Sequence, residues 1–214
     1  MTLGLQCIEK NARLGLSALI DEASAGNRTA GDTRPVKRKK ITSSFIGFGL
    51  APRINAAGRM SEASHAVDLL LSETPDTARA LAAQLCEINR QRQAEENSIA
   101  EQVYRRIDEE YDLDHTHVLV LEDDGWRQGI IGIVASRVTE RYGLPSILIS
   151  FDGSTTGFHD PDDQGKGSGR SIKGINLFEA LTACEDLLVK FGGHELAAGL
   201  TVTRNNVEDR KSVV

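Results

Sequence analysis

Two glycine-rich stretches, at 165–171 and 191–199, bring donor side chains to points where the backbone can come close to a ligand. The donors of the first stretch are Lys166, Ser168, Arg170 and Ser171. In the second stretch, His194 follows Gly192 and Gly193. Proteins hold a phosphate or a sugar-phosphate backbone with such groups, namely bare amides, a guanidinium and an imidazole. The alternative is that the two glycines only end a preceding helix.

Three further features give weaker signals. Trp126 can stack on a base, or it can serve as a buried anchor beside the helix that follows it. His115 and His117 occupy alternate positions, as two metal ligands on one face of a strand would. No third ligand is evident, and an ordinary strand start is favoured. The acidic run at 160–163 lacks the spacing of a calcium loop, which favours a solvated turn.

The composition is that of an ordinary globular protein. With 214 residues, 40% of them hydrophobic and 26% charged, the chain has room for one large or two small domains. We expect no membrane span, because no run of about 18 apolar residues occurs, and the N-terminus lacks the pattern of an export signal. The cysteines, Cys7, Cys86 and Cys184, are far apart and odd in number, which predicts neither a zinc site nor a disulfide framework. These features favour the reducing cytoplasm.

The net charge of −6 argues against a protein that coats nucleic acid with a uniformly basic surface. A local basic groove is compatible with this charge, because a binding site needs only its own electric field. Basic residues concentrate at 37–40, at Arg53 and Arg59, and at 166–173, whereas acidic residues concentrate at 108–114. We expect the run at 37–40 to be a solvated loop.

The N-terminal part of the chain is predicted to be helical. The spacing of leucine and isoleucine indicates a helix at 12–23, and a polar loop follows at 24–40. A hydroxyl residue at 42–43 can cap a short helix that Pro52 would end. Another helix is expected at about 62–72.

A long helix is predicted from Pro75 to about Tyr111. Thr74 is a suitable cap, and proline fits the first helical position because its missing N–H is not needed there. The pattern continues without a breaker for about 50 Å, at ~1.5 Å per residue. Apolar residues repeat at both ends, but 89–98 is almost entirely polar, which indicates a connector between two lobes. The alternative is a two-part helix with a hidden kink.

From residue 117 onward, the pattern becomes α/β. Strands are predicted at 117–121, 146–151, 166–172 and 199–202, helices at 129–142 and 176–189, and a turn at 152–157. The glycines of the strand at 166–172 indicate that something approaches its backbone. Asn176 and Glu179 resemble a capping box that opens the last helix.

Four segments together resemble one known family. They are LAPRINAAGR at 50–59, GWRQGIIGIVASR at 125–137, KGSGRSI at 166–172 and FGGHELAAGL at 191–200. On these segments the chain, from about residue 1 to 203, is similar to the RecJ single-stranded-DNA exonucleases of the DHH phosphoesterase superfamily. The resemblance implies three regions. These are the end of a DHH catalytic domain at 1–60, a helical linker with the long connector helix at 61–114, and a DHHA1 substrate-binding domain at 115–214.

The implied fold class is α/β, with a small mixed-sheet DHHA1-type domain joined by the connector helix to a mainly helical N-terminal remnant. RecJ-like enzymes degrade single-stranded DNA from the 5′ end with two divalent metals, Mn²⁺ or Mg²⁺. No Asp-His-His motif occurs in this sequence. We therefore expect a fragment of a metal-dependent exodeoxyribonuclease that carries the substrate lobe without its metal ligands, and we expect this chain to be inactive alone.

The resemblance also implies roles for single residues. Arg59, Ser168 and Arg170 resemble the residues that hold the terminal 5′-phosphate. Gly192, Gly193 and His194 resemble the motif that contacts the scissile phosphate, which makes His194 the catalytic candidate. Lys166 and Ser171 belong to the same phosphate-binding set, and the weaker candidates are Arg53, Asn55, Trp126, Arg127 and Gln128.

Physical chemistry supports some of these roles independently. Arginine recognises phosphate oxygens at two points, and His194 is predicted near a helix N-terminus, where an anion is favoured. Arg127 stands where many relatives have histidine, so a metal or proton role there is in doubt whereas a phosphate contact is not. For Arg53 and Asn55, a structural role that pins the linker to the catalytic lobe is an equal alternative.

Two other functions are compatible with the sequence. One is a DHH-superfamily phosphodiesterase for short RNA or cyclic dinucleotides, and the other is a non-catalytic nucleic-acid-binding module. The expected partner is single-stranded DNA with a 5′-phosphate. No membrane association is expected, and protein partners such as a single-stranded-DNA-binding protein or another repair protein stay unidentified.

Overall fold

A computed structural model describes residues 2–26, 38–151 and 163–210. The chain divides into two compact units, Met1–Gln93 and Ala94–Val214. Parts of the predicted loop at 24–40, the predicted turn at 152–157, and Asp160 and Asp162 lie outside the described residues. Among the residues described, none of the helices is long and apolar enough to cross a membrane.

The first unit is helical, as the sequence predicts. Its helices are α1 (Thr2–Asn11), α2 (Leu14–Ala25), a π-helical turn (Phe45–Leu50), α3 (Ala51–Met60), α4 (Ser64–Leu70) and the first part of α5 (Pro75–Glu110). Fully buried leucine and isoleucine side chains, including Leu19, Ile20, Leu69 and Leu85, form its core. Helix α1 was not among the predicted elements.

The prediction that Pro52 ends a helix is wrong. The π-helical turn continues directly into α3, and Pro52 lies in the first turn of α3. Proline has no N–H to donate to the preceding turn, and the irregular hydrogen bonding of the π-helical turn lies at this point of the chain. The predicted capping residue Thr42 does act as expected, since its Oγ1 accepts a hydrogen bond from the N–H of Phe45 at 3.0 Å.

Helix α5 is one uninterrupted helix of 36 residues, which confirms the prediction of a single long helix. At the start of α5, Thr74 Oγ1 accepts a hydrogen bond from the N–H of Thr77 at 3.3 Å. In the second unit, the polar middle of α5 is paired with basic side chains of the following helix. Arg137 Nη1 donates to Glu96 Oε1 at 3.2 Å and to Asn97 Oδ1 at 2.9 Å. Ion pairs therefore replace apolar packing along this stretch.

The second unit contains a mixed sheet, which confirms the α/β prediction. Within the described residues the strands are β1 (Leu119–Asp123), β2 (Ser146–Phe151), β3 (Gln164–Arg170), β4 (Lys190–His194) and β5 (Ala197–Thr203). Their order is β1-β2-β3-β5-β4, with β1 parallel to β2 and the other pairs antiparallel. The helices are α6 (Gln128–Tyr142), α7 (Leu177–Thr182) and α8 (Arg204–Arg210), with a 3₁₀ turn at Glu185–Leu187.

The helix predicted at 176–189 is shorter in the structure. It begins as expected, because Asn176 Oδ1 accepts hydrogen bonds from the N–H groups of Phe178 at 3.1 Å and Glu179 at 3.3 Å. It ends at Thr182, and β4 then begins at Lys190. Gly192 and Gly193 therefore do not end a helix, since they lie inside a strand.

The glycines of β3 are explained by the protein's own core. A Cβ on Gly165 would lie 2.7 Å from the Phe151 ring, and a Cβ on Gly167 would lie 2.8 Å from Leu200. The prediction that something approaches this backbone is correct, but on this face of the sheet the approaching groups are buried apolar side chains. The glycines thus indicate packing rather than ligand binding on that side.

Candidate nucleic-acid interface

The other face of β3, β5 and β4 carries the predicted donors. Directly opposed residues of antiparallel strands share one face of a sheet. Read from β3 through β5 to β4, the rows are Arg170, Ala197 and His194; then Ser168, Gly199 and Gly192; then Lys166, Thr201 and Lys190. We call this surface the donor face. The outer members of a row are about 10 Å apart, since neighbouring strands are separated by ~4.8 Å.

The donor face is basic and has an open floor. Its positions include two lysines, one arginine and one histidine, and none of these described positions is acidic. A Cβ added to Gly192 would meet no atom within 4 Å, and one added to Gly199 would meet only the Gly167 carbonyl oxygen at 3.9 Å. Internal packing therefore does not require these two glycines, in contrast to those on the core side of β3. Bare backbone in the middle of the row is accessible to an approaching group.

Arg170 is half-buried at the line where β3 meets α6. Its Nε donates to Ser136 Oγ at 3.1 Å, and its Nη1 donates to Ser168 Oγ at 3.1 Å and to the Gly169 carbonyl at 2.7 Å. These bonds fix the plane of the guanidinium. The structure therefore brings Arg170 and Ser168 into contact, as the sequence predicts for a shared site.

Ser171 braces the hairpin that carries His194. Its hydroxyl donates to the Ile175 carbonyl at 2.8 Å, and its N–H donates to the Leu196 carbonyl at 3.0 Å. The N–H of Leu177 donates to the Glu195 carbonyl at 2.9 Å. The loop after β3 thus holds the turn between β4 and β5, and the hydroxyl of Ser171 has an intramolecular role.

His194 is exposed at the end of β4, opposite Ala197. The residues that follow it do not form a helix, because a β-hairpin turn follows His194 and β5 begins at Ala197. Gly193 has a φ of +153°, and its Cβ would lie 2.5 Å from the Ala197 carbonyl oxygen and from Ala198 Cα. Only glycine fits this close approach of the two strands.

Lys190 and Thr201 extend the donor face and were not predicted. Lys166 and Lys190 are exposed, whereas Thr201 between them is 4% exposed. The signal that could have revealed Lys190 is its parity, because it precedes Gly192 and His194 at alternate positions of one strand. That signal becomes useful only once the segment is known to be a strand.

The three candidates at the start of α6 are not members of the donor-face rows. Trp126 is 4% exposed and its Nε1 donates to Gln102 Oε1 at 3.3 Å, so it is a buried anchor rather than a surface for stacking. Arg127 Nε donates to both carboxylate oxygens of Glu95, at 3.1 and 3.2 Å. Gln128 is the first residue of α6.

The candidates of the first unit lie on α3. Arg53 Nε donates to Cys86 Sγ at 3.3 Å, and its Nη1 donates to the Gly49 carbonyl. These contacts favour the structural alternative for Arg53, which fastens α3 to α5. Asn55 and Arg59 are exposed on the same helix.

The described residues do not fit a metal centre. Over 2–26, 38–151 and 163–210, no three His, Cys, Asp or Glu side chains gather into a group that could hold a metal ion. His115 Nδ1 lies 2.8 Å from Asp112 Oδ2, and both side chains are exposed. His115 and His117 precede β1, which begins at Leu119, so the two histidines do not lie on a strand face.

Comparison with known proteins identifies the class of domain. A family model described as "DHHA1 domain" matches residues 115–214. The "Single-stranded-DNA-specific exonuclease RecJ" of Bacillus subtilis is 38% identical over 213 residues, which are 99% of this chain and 24% of that protein. The protein of the same name from Escherichia coli is 36% identical over 201 residues, which are 89% of this chain and 31% of that protein.

Solved structures of RecJ are also similar to this chain. A crystal structure of RecJ in complex with Mg²⁺ from Thermus thermophilus has a TM-score of 0.73 at 30% identity, and covers 99% of this chain and 30% of that chain. A crystal structure of exonuclease RecJ bound to manganese has a TM-score of 0.74 at 32% identity, and covers 98% of this chain and 46% of that chain.

Residues 115–214 are therefore similar to the DHHA1 domain family. Over nearly its whole length the chain is similar to part of RecJ, which confirms the resemblance drawn from the sequence. The chain spans about a quarter to a third of the length of these curated relatives, 24% for the Bacillus protein and 31% for the Escherichia protein.

Proposed function

We propose that this chain is the substrate-binding part of a RecJ-like 5′-to-3′ exonuclease that acts on single-stranded DNA. The observation that carries the proposal is the row of Arg170, Ala197 and His194 across three paired strands, beside the open glycine floor. This row places a guanidinium and an imidazole on one face, with nothing larger than alanine between them. An extended sugar-phosphate backbone can lie across such a surface.

Each donor has a distinct task in this proposal. Arg170 and Ser168 hold the terminal 5′-phosphate through charge-assisted hydrogen bonds. His194 contacts the scissile phosphate with a ring N–H, while Gly192 and Gly193 let the protein backbone approach the same phosphate. Lys166 adds positive charge along the same face. We also propose a cytoplasmic location, consistent with the unpaired Cys86 and Cys184 and with a DNA substrate.

The divalent metals of the proposed reaction are Mn²⁺ or Mg²⁺, the ions bound in the two RecJ crystal structures. In a two-metal site such ions activate the attacking water and stabilise the transferring oxygens. The ligands would lie outside the described residues, because these hold no suitable group. The contribution of this chain is to bind and orient the phosphates.

The test is the salt dependence of binding to a labelled single-stranded oligothymidylate, measured by fluorescence anisotropy. Affinity should be modest and should fall steeply with salt, because binding to phosphates releases counterions. Lys166→Gln should lower the slope of log K against log salt by about 0.7, the value for one phosphate on a single strand. Arg105→Gln makes the same charge change at an exposed position of α5 and should leave the slope unchanged.

Two outcomes would contradict the proposal. Binding that does not respond to salt would exclude a site led by phosphate contacts, and equal slopes for both variants would show that only net charge matters. Tighter binding of a matched oligoribonucleotide than of DNA would instead favour the alternative phosphodiesterase for short RNA.

A further inference from the structure

Helix α6 places two small residues against the guanidinium of Arg170. Gly132 and Ser136 are four residues apart, so they lie on the same face of the helix. That face meets Arg170 and Ser168 of β3. Neither of the helix residues belongs to the donor face, so each would act on phosphate only through Arg170.

Ser136 accepts from Arg170 in a fixed orientation. Its Oγ donates its single proton to the Gly132 carbonyl at 3.1 Å. The lone pairs of the oxygen therefore point away from that carbonyl, and one of them accepts from Arg170 Nε at 3.1 Å. Because Nε is fixed to the guanidinium plane, this bond sets the direction in which the terminal nitrogens of Arg170 point.

Gly132 provides the space that this arrangement needs. A Cβ at this position would lie 2.9 Å from Ser168 Oγ and 3.0 Å from Arg170 Nη2. Glycine inside a helix is less favourable than alanine, so the fold gives up helix propensity at this point. The gain is that Arg170 and Ser168 can lie directly against the helix backbone.

We propose that Ser136 and Gly132 are positioning residues that orient Arg170, together with Ser168, toward a terminal phosphate. This inference rests on the proposed function, and it assigns the preference for a phosphorylated end to α6 as well as to β3. A guanidinium that can rotate still attracts phosphate by its charge, but its N–H donors no longer point in one fixed direction. Loss of alignment should therefore reduce discrimination between DNA ends more than it reduces overall binding.

The experiment measures the ratio of dissociation constants for one oligothymidylate carrying either a 5′-hydroxyl or a 5′-phosphate. Arg170→Ala should lower the preference for the phosphate by about tenfold, as expected for loss of hydrogen bonds to a charged group. Ser136→Ala should lower it by about threefold, as expected for one neutral partner. Ser136→Thr keeps the hydroxyl and should restore the preference.

Gly132→Ala separates alignment from stability. The added methyl should displace the flexible end of Arg170, so that the end preference falls while the melting temperature stays the same or rises. Ser98→Ala is the matched control, because Ser98 is an exposed serine within α5, and it should change neither quantity.

The outcomes distinguish this inference from the proposed function. If Arg170→Ala lowers the preference but both α6 variants leave it unchanged, the positioning role is wrong and the phosphate site stands. If Ser136→Thr fails to restore the preference at an unchanged melting temperature, the hydroxyl is not the aligning group. If the unmodified chain does not distinguish the two ends, recognition of the 5′-phosphate is wrong, and this inference is overturned with it.

Discussion

Alanine substitutions at two glycines on adjacent strands should affect different properties of the chain. Gly167 of β3 faces the core, where a Cβ would lie 2.8 Å from both Cγ and Cδ1 of Leu200 and 3.3 Å from Ile149. Gly199 of β5 faces the donor face, where a Cβ would meet only the Gly167 carbonyl oxygen at 3.9 Å. The first substitution should therefore reduce stability, whereas the second should reduce DNA binding.

The magnitudes follow from the available space. Adding a methyl group to a filled core costs about 1–3 kcal/mol of stability. Each kcal/mol lost by Gly167→Ala should lower the melting temperature by about 2–8 °C. Gly199→Ala should change the free energy of unfolding by less than about 0.5 kcal/mol, since its methyl points into open space. The same methyl lies where a phosphate would approach the backbone, and the loss of such contacts should weaken binding by about tenfold.

Thermal and urea unfolding followed by circular dichroism measures the stability of both variants, and fluorescence anisotropy measures binding to single-stranded DNA. Gly167→Ala should bind normally at temperatures where it is folded. The reasoning is refuted if Gly199→Ala destabilises the protein as much as Gly167→Ala, because the floor would then be a packed surface. It is equally refuted if Gly199→Ala binds DNA as tightly as the unmodified chain.

Two further predictions concern the buried thiol of the first unit and the chemistry of the isolated chain. Burial raises the pKa of the Cys86 thiol even though Arg53 donates to its sulfur, so the neutral thiol is favoured in the folded state. The free energy of unfolding should therefore fall as the pH rises above about 8.5. In urea unfolding, the difference in stability between the unmodified chain and Cys86→Ala should shrink between pH 7 and pH 10, and a constant difference would contradict this. The isolated chain should not degrade labelled single-stranded DNA with Mn²⁺, because a metal-activated water needs several ligands held together, and robust 5′-to-3′ degradation that disappears in His194→Ala would overturn the prediction.

Much of the fold follows from the sequence because its strongest signals are local. The cap at Thr74 with Pro75 predicts the start of α5, and the apolar run at 146–151 coincides with β2. Helix ends and short strands are less well predicted, since tertiary contacts decide them. The segment before His194 illustrates this, because its two glycines are typical of a helix end whereas pairing with β5 makes it a strand.

The identities of the main donors were predictable, but their arrangement was not. Arg170, Ser168 and His194 stand in motifs that can be read directly from the chain. The neighbours of these donors can be placed only when the pairing of the strands and the packing of α6 are known. The pairing puts Lys190 in a row with Lys166, and Ser136 of α6 accepts a hydrogen bond from Arg170. The sequence also cannot separate glycines that accommodate the core from glycines that leave a floor open, because that distinction depends on what lies above each Cα.

The pairing register connects the core of the second unit to its donor face. Along β5, Ala198, Leu200 and Val202 are buried in the core, so the alternate residues must face the other way. A slip of β5 by one residue would turn Leu200 away from the apolar cluster. The same slip of β3 would turn Arg170 toward that cluster, where burial of a guanidinium is highly unfavourable. The apolar side chains therefore determine that Arg170 and His194 lie on the face of the sheet opposite the core. Packing on one side of the sheet thus determines which residues make up the donor face on the other.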